Sequence, residues 1–284
     1  SIGRESLLRT IKSVQQQTYP CTHYIFVDGP QYHQQVLEMV KDYPNVKVSY
    51  LGMNTGAGGM CNSIINAVAP FLVTEDIICF IDDDNWMSAD HVHYLVDAIS
   101  RHNADYAYNL RYYVDETEQI LCPDNVDSTG FWHHDQLHYK IRLDLFGGDQ
   151  EIDLHSRFRP GHLIDTNSYG IKREVALKLA LTWIQRGDAN DVAVTQALLK
   201  ANMKGVNTGK RTIYYMIDVE RREILSDDFF QSCYPNHELD GEQKLYTKYQ
   251  MVKQRNFYAA KRHDIVPWEQ EVVFEHGELK VIEE

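Results

Sequence analysis

Residues 77–86 read IICFIDDDNW, a short apolar run that ends in three consecutive aspartates. Asp82, Asp83 and Asp84 lie too close for all three to stay ionised unless a cation or strong donors compensate them. Ligation by oxygen alone suits Mg²⁺ or Mn²⁺; the competing reading is an acidic turn capping the next helix. An EF-hand would want glycine where Met87 stands. A Walker B strand would need a P-loop, and the nearest string, Gly205 to Lys210, has the wrong spacing and is followed by Arg211. Three further places could do chemistry. Asp28, before Gly29, could accept hydrogen bonds from a base or ribose at a strand end or could simply begin a turn. Asn54-Thr55-Gly56-Ala57-Gly58-Gly59, leading into Asn62, could bring backbone amides to an anion or make a tight turn. Asp191 closes RGDAND at the start of a helix, where Asp188, Asn190 and Asp191 are also ordinary capping residues.

These residues need a scaffold that brings strand ends together. Leu7, Leu8, Ile11 and Val14 share one face of a helix predicted over 5–17. Strands are expected at His23–Val27, Val46–Tyr50 and 77–81, with helices over 32–42, from the glycine loop to about Ala69, and from about Ser88. The β–α alternation predicts an α/β fold with a parallel, doubly wound sheet, and acidic strand ends sit where such sheets bind ligands. After residue 104 the rhythm changes. Residues 105–122 read as longer antiparallel strands, and 123–160 as a long functional loop whose Phe131 and Trp132, like Trp86 earlier in the chain, offer aromatic faces on which a ligand could stack. His133, His134, His138 or His155 could add a metal ligand. A strand is expected over His162–Lys172, helices over 173–186 and 191–201, and a late strand at Thr212–Ile217. Residues 1–220 form the expected main domain. Residues 221–284 form an α/β appendage, with a helix near 241–257 and a hairpin pairing Val272–Phe274 with Leu279–Ile282 around Gly277.

Composition narrows the partners. The 284 residues carry 28 Lys and Arg against 41 Asp and Glu, a net charge of −13, and 43% are hydrophobic. A core of that size is affordable, and an acidic surface argues against nucleic acid as a partner. Five cysteines without a CxxC pair fit reduced thiols in the cytosol. No apolar run approaches the roughly 20 residues that span a bilayer.

In this order the motifs resemble the GT-A glycosyltransferases, and among them the large inverting family 2, over about residues 1–205. ESLLRTIKSVQQQTYP is similar to that family's first helix, FVDGP to its "V-D-D-G-S" strand end, NTGAGGMCN to "N-x-G-x-x-x-A-R-N", and FIDDDNWMSADHV to "F-L-D-A-D-D-x-x-x-P-x-x-L". The resemblance implies a nucleotide-sugar site containing Ile2, Arg4, Asp28, Asn54, Gly56, Asn62, Asp82 and Asp83. It implies a Mn²⁺ or Mg²⁺ ion on Asp84 and Asp82, and Asp191 as general base. Asp165 lies where the family lines the acceptor side, and Trp132 is placed there with it. The chain departs from the family pattern at several points. FVDGP has one aspartate where two are usual, Cys61 replaces the arginine of "A-R-N", and Asn190 stands where the first acid of "E-D" is expected. Ser1-Ile2-Gly3-Arg4 resembles the tail of "P-T-Y-N-R", which places the family's first strand upstream of Ser1.

The implied activity is metal-dependent, inverting transfer of a sugar from a nucleotide diphosphate, expected to be UDP, to a carbohydrate or lipid-linked acceptor in surface polysaccharide or glycan synthesis. A cytoplasmic location follows, with peripheral membrane attachment as its variant. Two alternatives stay open: a nucleotidyltransferase that makes nucleotide-sugars, and a catalytically dead sugar-binding module.

Overall fold

The computed structural model describes residues 1–132, 137–146, 150–156, 162–185, 189–217 and 227–282. In chain order the elements are α1 (Leu7–Gln15), β1 (Tyr24–Val27), α2 (His33–Val40), β2 (Lys47–Tyr50), α3 (Ser63–Leu72), β3 (Ile77–Cys79), β4 (Trp86–Met87), α4 (His91–His102), β5 (Tyr106–Val114) and β6 (Ile120–Pro123). There follow β7 (Leu137–Leu143), β8 (Gln150–Ser156), β9 (Tyr169–Lys172), α5 (Arg173–Leu179), α6 (Ala189–Lys200), β10 (Gly205–Met216), α7 (Asp227–Cys233), α8 (Gly241–Lys261), β11 (Val272–Glu275) and β12 (Glu278–Val281).

The main sheet has the order β12-β11-β10-β5-β9-β3, with β4 on β10 and β6 on β5. Its ladders make β3, β5 and β10 run the same way, with β9 reversed between β3 and β5. β5 is the central strand. Buried Tyr106, Tyr108 and Leu110 join Tyr169, Ile171 and Trp183 in the largest core cluster, as expected of a strand covered on both faces. On one flank α4 buries Val92, Leu95, Ala98 and Ile99 and ends at Asn103 in the left-handed region, whose N–H turns back to close the helix. β1 and β2 form a separate parallel pair. Ser1 lies along the other edge of β1: its amino group donates to the Phe26 carbonyl (2.6 Å), and Asp28 N–H donates to the Ser1 carbonyl (2.8 Å).

Several expectations change: the late strand begins at Gly205 rather than Thr212, and the helix from residue 173 ends at Leu179. The strand over 77–81 stops at Cys79, because Phe80 and Ile81 leave the ladder to deliver the aspartates. The strand expected from His162 begins only at Tyr169, since Asp165 caps a tight 3₁₀ turn over Thr166–Ser168. The weakly patterned stretch 123–160 contains the β7–β8 hairpin. Tyr139, Ile141 and Leu143 point inward against α8, Phe230 and Tyr234. At the C-terminus, Asp240 and Gln243 form a reciprocal capping box that starts α8. The β11–β12 hairpin pairs as expected and continues the main sheet through β10.

Gly130 marks the tightest point of the loop after β6. Its φ is +68°, and a Cβ there would sit 2.1 Å from the Tyr108 ring. The same Tyr108 hydroxyl accepts from Phe131 N–H at 3.1 Å. Gly130→Ala should therefore cost at least about 2 kcal/mol, through overpacking and left-handed strain together, as read by urea unfolding.

Candidate active site

One cavity of about 1230 Å³ runs along the facing edges of β1 and β3, between Ile25, Phe26, Ile78 and Phe80, and opens at their carboxyl ends toward the start of α6. Ile2, Arg4, Asp28, Asn54, Gly56, Asn62, Asp82, Asp83, Asp84, Asp165 and Asp191 all line it. Trp132 does not; it is half-buried and packs on Phe131, ring centres 6.1 Å apart. Trp86 stacks on Tyr214 beneath the Arg9 guanidinium, so its faces are already used. His133, His134 and Arg186 to Asp188 lie outside the described residues, while His138 and His155 are ladder neighbours in the β7–β8 hairpin.

Asp28, at the end of β1, holds the glycine loop. Its carboxylate accepts Thr55 N–H (2.6 Å), the Thr55 hydroxyl (2.8 Å) and Gly56 N–H (2.9 Å). Gly56 has to be glycine, because a Cβ would come within 2.6 Å of the Cys61 carbonyl oxygen.

The three aspartates have three different environments. Asp83 is buried; it accepts Ile2 N–H (2.9 Å) and the Arg4 guanidinium (2.6 Å). Burial works to raise its pKa, while the Arg4 guanidinium and the Ile2 N–H work to lower it. Asp84 is more open and shares the same Arg4 nitrogen at 2.7 Å. Asp82 receives only neutral donors, Asn62 Nδ2 at 2.8 Å and Asn167 Nδ2 at 3.0 Å. Burial, followed by the charges of Asp84 and Asp165, raises it to about 6.

Asp191 stands in the first turn of α6, where the Thr166 hydroxyl donates to its carboxylate. Burial and the charges of Asp165 and Asp82 push its pKa well above the ordinary value. Asn190 reaches across to Asn62 (3.0 Å) and also accepts Asp191 N–H (2.8 Å). Where the family pattern has an acid, the asparagine thus ties the α6 end of the cleft to the α3 end. Asp165 is buried against Arg111, whose other partner is Asp124, at 2.5 and 2.6 Å.

Sequence reasoning missed Asn167, the hub of this network. Its amide donates to both Asp82 and Asp165, and its carbonyl oxygen accepts Asp82 N–H at 2.6 Å. The signal was the Asp165-Thr166-Asn167 string, which favours a side-chain-capped turn over a strand.

The described residues hold no ready cage of three or more His, Cys, Asp or Glu groups. Mg²⁺ and Mn²⁺ do not require one, since Mg²⁺ in particular is commonly bound through one or two carboxylates plus substrate phosphates and water. Asp82 and Asp84 offer oxygen only, in a pocket whose negative charge is under-compensated at Asp82, so the donor set fits such an ion.

The glycosyl transferase family 2 model matches residues 3–163, more than half of the chain. The chain belongs to this family. Its elements follow the GT-A plan, and solved glycosyltransferase structures resemble it in fold. S. aureus TarS 1–349 superposes with a TM-score of 0.50 at 15% identity, over 93% of this chain and 70% of that one. TarS 1–349 in complex with UDP-GlcNAc gives 0.52 at 16% identity, over 92% and 70%. No curated protein sequence matches. Among the described residues, no helix of this glycosyltransferase is long and apolar enough to cross a membrane.

Proposed function

We propose that this chain is a metal-dependent, inverting glycosyltransferase that uses a UDP-sugar and builds a surface polysaccharide or lipid-linked glycan. The observation that carries the reading is the meeting of Asp82, Asp84 and Asp191 in one cleft, within a chain of family 2. The UDP-GlcNAc complex of TarS supports UDP as the donor nucleotide.

In this reading Asp28 orders the glycine loop beside the base and ribose. Asp82 and Asp84 would hold Mn²⁺ or Mg²⁺, which when bound would supply Lewis-acid stabilisation of the departing diphosphate. Arg4, already bridging Asp83 and Asp84, adds positive charge at the same edge. Asp191 takes the acceptor hydroxyl's proton as the hydroxyl attacks the anomeric carbon opposite the leaving group. A single displacement inverts configuration.

The deciding experiment follows UDP release from UDP-GlcNAc with Mn²⁺, with Mg²⁺ and with EDTA. Activity that survives EDTA overturns the metal assignment, and pyrophosphate release from a nucleoside triphosphate would favour the nucleotidyltransferase alternative. A pH signature should accompany it. The folded protein keeps a proton on Asp82 that the unfolded chain releases between about pH 4 and pH 6. This group's contribution to stability therefore falls as pH rises through that window. Stabilisation by Mn²⁺ with UDP should grow over the same window, because the ion competes with that proton. Thermal shifts at pH 5 and pH 7.5 check this, and equal shifts at both would refute it.

A further inference from the structure

The loop that follows β6 is held from two sides. Within itself it closes on Asp124, whose carboxylate accepts the N–H groups of Val126, Asp127 and Ser128 at 2.8–3.0 Å and Arg111 Nε at 2.6 Å. From outside it is held by the C-terminal region. Asn125 N–H donates to the Asn256 side chain (2.6 Å), and Asn125 Nδ2 donates to the Asn256 carbonyl (3.2 Å). Trp268 Nε1 donates to Asn125 Oδ1 (2.9 Å), and Arg255 donates to Asp127. Asn125, Asn256 and Trp268 are all buried.

Two polar routes run from this grip to Asp165. Along one, the Tyr113 hydroxyl donates to Asp127 and accepts from Arg111, which donates to Asp165. Along the other, Asp165 N–H donates to the Ser128 hydroxyl at 3.0 Å. The donor side has further braces of its own, in Asn62 at the start of α3 and in the Asp28 loop, and meets Asp165 through Asn167. Arg111, Asp124 and Asn256 are buried while the Arg255–Asp127 pair is partly exposed; a network held at this many points has few alternative arrangements, so a change at one end is felt at the other.

We propose that α8 sets the acceptor side of the active site, with Arg255 and Asn256 as positioning residues that act through the 124–128 loop on Asp165. This rests on the reading that Asp165 faces the acceptor. It gives the C-terminal region a part in acceptor choice without any contact with the donor.

The test uses the full chain with UDP-GlcNAc and reads how the sugar divides between water and glycerol as a simple hydroxyl acceptor. A loss of folded enzyme lowers both products equally and leaves their ratio unchanged. Arg255→Met and Asn256→Leu should lower the glycerol-to-water ratio about tenfold, the scale expected when a reacting group is misplaced by a fraction of an ångström. Arg255→Lys should recover part of it. UDP affinity should stay within about twofold, because the donor contacts are untouched. An unchanged ratio with reduced turnover overturns the proposal. Hydrogen exchange supplies an arm that needs no substrate: amides of residues 162–168 should exchange faster in Arg255→Met while those of residues 55–66 do not. Unchanged exchange at 162–168 also overturns it. If the unaltered protein neither binds UDP nor consumes UDP-GlcNAc, the donor reading fails, and the exchange result alone decides the coupling.

Discussion

Asp191→Asn should lower sugar transfer by about 10²–10⁴-fold, the usual contribution of a positioned general base. The substitution keeps the shape of the side chain and its acceptor for the Thr166 hydroxyl, so the α6 start should hold. Asp191 N–H still has Asn190, and Asn190 still has Asn62. UDP binding should therefore survive, and calorimetry on the variant separates lost chemistry from lost donor. The environment also dictates a pH profile. Burial, with Asp165 and Asp82 nearby, favours the neutral carboxylic acid at Asp191, whereas a base must be ionised. Transfer by the unaltered enzyme should rise with pH through that raised pKa, and the rise should vanish in Asp191→Asn. Near-normal transfer by the variant would place the base elsewhere.

The frame of the site was readable because it depends on local patterns. An apolar run that ends in Asp82, Asp83 and Asp84 marks a strand that opens onto a ligand edge, and the structure puts these residues beside Asp28, Asn62 and Asp191, although β3 ends the described sheet and buries only Ile78. The residues that join them were harder to see. Asn167 lies 85 positions from Asp82, and a single asparagine carries no periodicity. Arg111 is one charge in the Tyr-rich run of β5, where alternation points to a strand and says nothing of a partner. A buried arginine is rare enough to imply paired acids, but Asp124 and Asp165 are named only once the fold closes. The β7–β8 hairpin was legible in principle, since Tyr139, Ile141 and Leu143 alternate with His138, Lys140 and Arg142. The surrounding glycines, acids and histidines hid that short period. Trp132 went the other way: an aromatic residue in a polar stretch suggested a sugar platform, but packing against Phe131 uses it.

The largest effect on stability should come from Arg111. Its guanidinium is 2% exposed, lies between Asp124 and Asp165, and stands 4.0 Å from the centre of the Tyr215 ring. Arg111→Met removes the cation and leaves two buried carboxylates short of a partner. Breaking a buried ion pair from one side costs about 3–5 kcal/mol, a fall in melting temperature on the order of 10 °C for a chain of this size. Arg111→Lys should restore little, because an ammonium cannot fork to two carboxylates and lie over a ring at once. The informative control is the triple variant Arg111→Met, Asp124→Asn, Asp165→Asn. Most of the loss in the single variant comes from stranded charge rather than from a net gain in the triad, so neutralising the acids should recover much of the stability. Transfer should not recover with it, since the Asp165 carboxylate, read here as facing the acceptor, is gone. Urea unfolding of the three proteins tests the argument: a triple variant no more stable than Arg111→Met would mean that the triad itself supplies the stability.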